Sequence, residues 1–183
     1  KDYEKLENAR LLDPSEYILN EKLGYISLNA ALNADEVLAV AYEYTVRGEI
    51  HTVGELTSNA PAAPSTLVVK MLRSTTQSPK MPTWDLMMKN VYNIGSYNLS
   101  AEDFVLDVLY QNDKAGTMVN YLPAGDIDNK ILLSVMNLDR LNTQLDAIPD
   151  GRFDYIEGIT VYSNKGRIVF PVLEPFGGWL EKK

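Results

Sequence analysis

Apolar and polar residues alternate along several short stretches with the two-residue period of half-buried strands. Over residues 37–46, Leu38, Val40, Tyr42 and Tyr44 share one face. Arg47-Gly48-Glu49 then turns the chain into a returning strand over 50–56, which makes a hairpin. Residues 58–65 hold two prolines and read as a loop. Residues 66–73 are apolar on nearly both faces (Leu67, Val69 and Met71 against Val68 and Leu72), the pattern of a central strand. Over 104–111, Phe104, Leu106, Val108 and Tyr110 share a face, and a polar turn at 112–116 leads back through 117–122. Residues 131–136 read as a short strand. Residues 159–162 and 167–173 form a third hairpin across Ser163-Asn164-Lys165-Gly166.

Helical features concentrate at 83–91. Thr83 can cap the start, and Asp85 lies in the first turn, where the helix dipole favours an anion. Leu86, Met87, Asn90 and Val91 continue it to a stop near Gly95. Short strands punctuated by turn signals predict an all-β fold, a β-sandwich-like soluble domain with one or two short helices. No composition shift divides the chain. The expectation is one domain over 1–183, with 1–9 and 178–183 as flanking linker. Most strands fall short of the roughly ten residues that a membrane barrel strand needs.

Composition narrows the function more than the fold. The chain has 183 residues, 45% hydrophobic and 23% charged, with a net charge of −8. That charge opposes binding to nucleic acid or to an anionic membrane surface. There is no cysteine, so disulfides, zinc-thiolate sites and thiol nucleophiles are excluded. No apolar stretch approaches the length of a membrane helix. The chain opens on Lys1 and stops soon after the corner Glu174-Pro175-Phe176-Gly177-Gly178, so it is expected to be a piece of a longer protein.

The best local motif for chemistry lies at 142–157. With Asp146 as position one of a twelve-residue calcium loop, Asp150 falls at five, Gly151 at six, Asp154 at nine and Glu157 at twelve. Calcium takes six to eight hard oxygens, and this spacing supplies most of them. Ile148 stands where another oxygen belongs, Pro149 stiffens the approach, and Asp139, Asn142 or Gln144 would have to substitute. The competing explanation is an acidic Pro-Asp-Gly turn between strands.

Other signals are weaker. His51 is the only histidine, and no nucleophile motif accompanies it. Neighbouring carboxylates at Asp35-Glu36, Glu102-Asp103 and Asp126/Asp128 would serve a hydrolase only across one cleft. Trp84 with Met87 and Met88 is the most plausible exposed apolar patch and a candidate partner contact. An aromatic face around Trp84 or Trp179, together with a calcium, would suit a free-standing carbohydrate-binding sandwich.

A series of ordered phrases carries a family resemblance. They are Ala9-Arg10-Leu11-Leu12, Lys22-Leu23-Gly24-Tyr25-Ile26-Ser27-Leu28-Asn29 and Asn33-Ala34-Asp35-Glu36-Val37-Leu38-Ala39-Val40-Ala41-Tyr42-Glu43-Tyr44. Pro82-Thr83-Trp84-Asp85-Leu86-Met87-Met88-Lys89-Asn90-Val91-Tyr92, Met136-Asn137-Leu138-Asp139-Arg140-Leu141 and Phe170-Pro171-Val172-Leu173-Glu174-Pro175-Phe176-Gly177 follow. Together they resemble a segment of the SprA/Sov family, the giant outer-membrane proteins of the type IX secretion system, which are also tied to gliding motility. The resemblance spans about residues 10–177. It implies a module of the cell envelope, periplasmic or surface-facing, with no catalytic residues. Its implied partners are the rest of the parent translocon, accessory proteins and secreted cargo.

Overall fold

The computed structural model describes residues 3–59, 62, 65–113, 116–123 and 125–182. Among these, eleven short strands, several 3-10 turns and one four-residue α-helix give the mainly β class expected from the sequence. Where a sandwich would pool its strands into two sheets, here they are distributed over five small antiparallel ones. The chain groups into two compact units, Lys1–Met87 and Met88–Lys183. No helix among the described residues is long and apolar enough to cross a membrane.

The first unit is a series of two-stranded ribbons. It opens on a 3-10 turn, Pro14–Glu16. Asp13 caps this turn by accepting the Ser15 N–H at 2.8 Å, while its own N–H donates to Glu16 at 2.8 Å. The two bonds close a reciprocal capping box, and proline at the first position loses no hydrogen bond there. β1 (Tyr17–Asn20) and β2 (Tyr25–Leu28) follow as a hairpin, with Gly24 at φ +67°.

The strand predicted over 37–46 is two strands in two sheets. β3 (Leu38–Val40) pairs with the distant β6 (Lys70–Arg73), and β4 (Tyr42–Val46) pairs with β5 (Glu49–Val53). The break falls at Ala41, where Gly54 lets segments cross closely. A Cβ on Gly54 would lie 3.2 Å from the Ala41 Cβ and 3.3 Å from the Val69 Cα. The β4–β5 hairpin itself is as expected. It closes over Arg47 and Gly48, both at positive φ, which matches the right-handed twist of paired strands.

Residues 66–73 do not form a central strand. Among the described residues β6 pairs only with β3, and Val68 is held by Glu55 instead. The Glu55 N–H donates to the Val68 carbonyl, and the Glu55 carboxylate accepts the Val68 N–H, both at 2.7 Å. Of the loop predicted over 58–65, residues 60, 61, 63 and 64 lie outside the described residues.

The helix expected over 83–91 is a single 3-10 turn, Pro82–Leu86. Pro82 rather than Thr83 opens it, since proline's fixed φ suits a first position. Met87 is already extended, and Val91 belongs to a strand.

The second unit holds the core. β7 (Val91–Asn93), β10 (Val161–Tyr162) and β11 (Arg167–Val169) form a sheet in the order β10-β11-β7. The expected hairpin over 159–173 is its β10–β11 part, and the long-range addition of β7 is not legible in local pattern. β8 (Tyr110–Asn112) and β9 (Thr117–Val119) form the other predicted hairpin, shortened. Lys114 and Ala115 of its turn lie outside the described residues.

Residues 131–136 form a helical turn, α1 (Leu132–Val135), instead of a strand. A short apolar run does not by itself separate a buried helix from a buried strand. Leu132, Leu133 and Val135 are all buried, which a strand covered on one side would not achieve.

Leu133, Met136, Leu138, Val161, Ile168, Phe170 and Val172 make the core, flanked by Leu99, Phe104, Leu106, Val108, Phe153 and Tyr155. Burying each large aliphatic side chain contributes about 1.5–3 kcal/mol. The first unit differs sharply, since among the described residues it buries no hydrophobic side chain, only Ser74.

Candidate functional site

The acidic segment predicted as a calcium loop lies in the second unit, wrapped around Asp139. This carboxylate is buried, 1% exposed, and faces three donors. The Ser134 hydroxyl donates to it at 2.6 Å, the Asp150 N–H at 3.0 Å and the Gly151 N–H at 3.2 Å. A buried carboxylate is tolerable only when its oxygens are paired in this way. Asp139 thereby ties α1 to the Pro149-Asp150-Gly151 turn, where Gly151 sits at φ +82°.

The four predicted calcium ligands are each engaged in a different local hydrogen bond, three of them to backbone N–H groups. Asp146 accepts from the Asn142 side chain at 3.1 Å, and its N–H donates back to Asn142 at 2.9 Å. Asp150 accepts the Arg152 N–H at 3.0 Å. Asp154 accepts the N–H groups of Arg140, at 2.7 Å, and Leu141, at 3.2 Å. Glu157 accepts the Ser163 N–H through both oxygens at 3.1 Å. Among the described residues no group of three or more acidic, histidine or cysteine side chains is placed to hold a metal ion.

Beside Asp139 lies an open cleft of about 310 Å³, lined by Ser134, Asn137, Asp139, Arg140, Ala147 and Pro149. Ser134 donates its proton to Asp139, so the pair is set to hold the turn together. Asp139 entered the sequence argument only as a substitute ligand. Its burial had no signature, because an acid in a polar stretch normally faces water.

The candidate partner patch divides at the junction of the two units. Trp84 is half-buried within the 3-10 turn, and Met87 ends the first unit. Met88 opens the second. Leu86, Met87 and Met88 are exposed in succession, which is uncommon for apolar residues outside a contact surface.

The other tryptophan is anchored. Its indole N–H donates to the Val135 carbonyl at 3.0 Å, and its ring packs on the core. His51 lies on β5, where it stacks on Tyr44 at 5.1 Å. With Tyr42 beside Tyr44, they form an aromatic row on one exposed face of the β4–β5 ribbon. No protein-family model matches the chain, and no curated protein matches it significantly.

Proposed function

We propose that this chain is a non-catalytic structural and interaction module of a SprA-like outer-membrane protein that serves type IX secretion and gliding motility. The observation that carries the proposal is the ordered series of phrases from Ala9 to Gly177, which resembles that family over nearly the whole chain. The exposed apolar surface is in keeping with it. In the first unit Ile18, Leu19, Tyr42, Tyr44, Val46 and Ile50 remain exposed on two-stranded ribbons. Isolated ribbons of this size are marginal in water, and contact with other protein would stabilise them. On this reading the module sits in the cell envelope. It contacts the rest of the parent translocon and accessory proteins, and cargo passes near it.

In-frame removal of these residues from the parent tests the proposal. The expected result is loss of type IX cargo from the medium and of gliding, with the parent still in the outer membrane. Normal secretion and motility with the module removed would count against it.

A further inference from the structure

We propose that residues 104–109 of the second unit form an acceptor edge for an extended peptide strand whose side chains alternate apolar, basic, apolar. The inference goes beyond the secretion role and rests on the second unit's geometry alone. Phe104, Leu106 and Val108 turn inward onto the core, and Val105, Asp107 and Leu109 turn outward. This is the side-chain period of a strand, and it runs directly into β8. Yet among the described residues no strand pairs with it. Its natural partner, the chain leaving β9, turns away after Val119. Tyr121 bridges to Ile131, and the Asn120 carbonyl accepts the Leu132 N–H at 2.8 Å. Among the described residues the main chain of Val105, Leu106, Asp107 and Val108 makes no hydrogen bond.

An extended segment with unmatched N–H and C=O groups is a template for strand addition. The outward face selects the occupant. Val105 is 80% and Leu109 52% exposed, and the acid Asp107 lies between them. A second copy pairing antiparallel about Asp107 would set two carboxylates directly opposite each other, which is destabilising. The chain's net charge of −8 adds to that repulsion. A strand with a basic residue opposite Asp107 and apolar residues opposite Val105 and Leu109 meets all three positions.

The test uses the full chain labelled with nitrogen-15 and a blocked peptide, Gly-Thr-Val-Thr-Lys-Thr-Val-Thr-Gly. The expected result is saturable shifts at residues 105–109, with amide exchange there slowed about tenfold at saturation. Replacing the peptide lysine by glutamate should weaken binding about fivefold, and the exposed substitution Asp107→Lys should reverse that preference. Of two peptides N-methylated at alternate residues, one should lose binding and the other keep it, since a strand presents alternate N–H groups to each neighbour. The proposal is overturned by an absence of protection at millimolar peptide, or by binding indifferent to the charge swap. It is also overturned by protection that rises with protein concentration without peptide, which would make a second copy the occupant.

Discussion

Gly166 lies against Ser96 so closely that a Cβ built on it would fall 1.5 Å from the Ser96 carbonyl oxygen. Gly166 also takes φ +58° to end the 3-10 turn Ser163–Lys165 and start β11. Its own carbonyl accepts the Ile94 N–H at 3.0 Å. One residue therefore closes the β10–β11 hairpin and seats the chain leaving β7 beside it.

Gly166→Ala should cost at least about 3 kcal/mol, because left-handed strain adds to a clash with main chain that cannot move aside cheaply. Gly95→Ala is the control. Gly95 also has positive φ, at +76°, but a Cβ there meets nothing within 4 Å, so only about 1–2 kcal/mol is expected. Denaturant midpoints of the two variants decide it, and equal losses would show that the Ser96 contact is immaterial.

Asp139→Ala removes the acceptor shared by Ser134, Asp150 and Gly151 and leaves two main-chain donors without it. About 3 kcal/mol of destabilisation is expected, against about 1 kcal/mol for Ser134→Ala. The exchange of the Asp150 and Gly151 amides should speed up in the first variant and change little in the second. Similar losses in both would mean that the turn is held by something other than Asp139.

These two residues show what the sequence makes legible. A glycine after Ser-Asn-Lys marks a turn, so the β10–β11 hairpin is predictable, as is the hairpin over Arg47-Gly48. Alternation places Phe104, Leu106 and Val108 inward correctly but does not reveal that, among the described residues, no strand pairs beside them. The β1–β2 hairpin carries its own signal, Tyr-Ile-Leu-Asn and Tyr-Ile-Ser-Leu around Gly24, but the residues flanking Gly24 do not form a strong turn pair. Contacts that join distant stretches leave no local trace. β3 with β6, β7 with β11, Gly54 against Ala41 and Asp139 beneath Gly151 all belong to this group. The run 131–136 is legible as buried but not as helical.

Glu16 sets a pH dependence in the first unit. The Arg10 guanidinium grips it through two hydrogen bonds of 2.7 Å, and with the Asp13 N–H this holds its carboxyl down at about 2, from an ordinary value of 4.5. A depressed carboxyl contributes stability above its unfolded value and loses it as pH falls toward the folded one. The capping turn at Pro14–Glu16 should therefore loosen between about pH 4.5 and pH 2. Carbon-detected titration of Glu16 measures this, and Arg10→Ala should move the midpoint up toward the ordinary range. An unchanged midpoint in that variant would mean that Arg10 does not hold the carboxylate in solution.

Calcium can enter the 146–157 segment only by pulling carboxylates away from the Asn142, Arg152, Arg140 and Ser163 caps. Millimolar calcium should therefore leave the Tm within about 1 °C, since a ligand stabilises only through preferential binding to the native state. A larger rise that Asp150→Ala abolishes would show that the caps give way and that the loop binds the ion.

The proposed role in secretion is tested most directly by immunoblotting fractionated cells that make this protein, with an antibody raised against these residues. The expected result is a band far larger than 20.5 kDa in the outer-membrane fraction. A band near 20.5 kDa in the soluble fraction would contradict the role in a translocon.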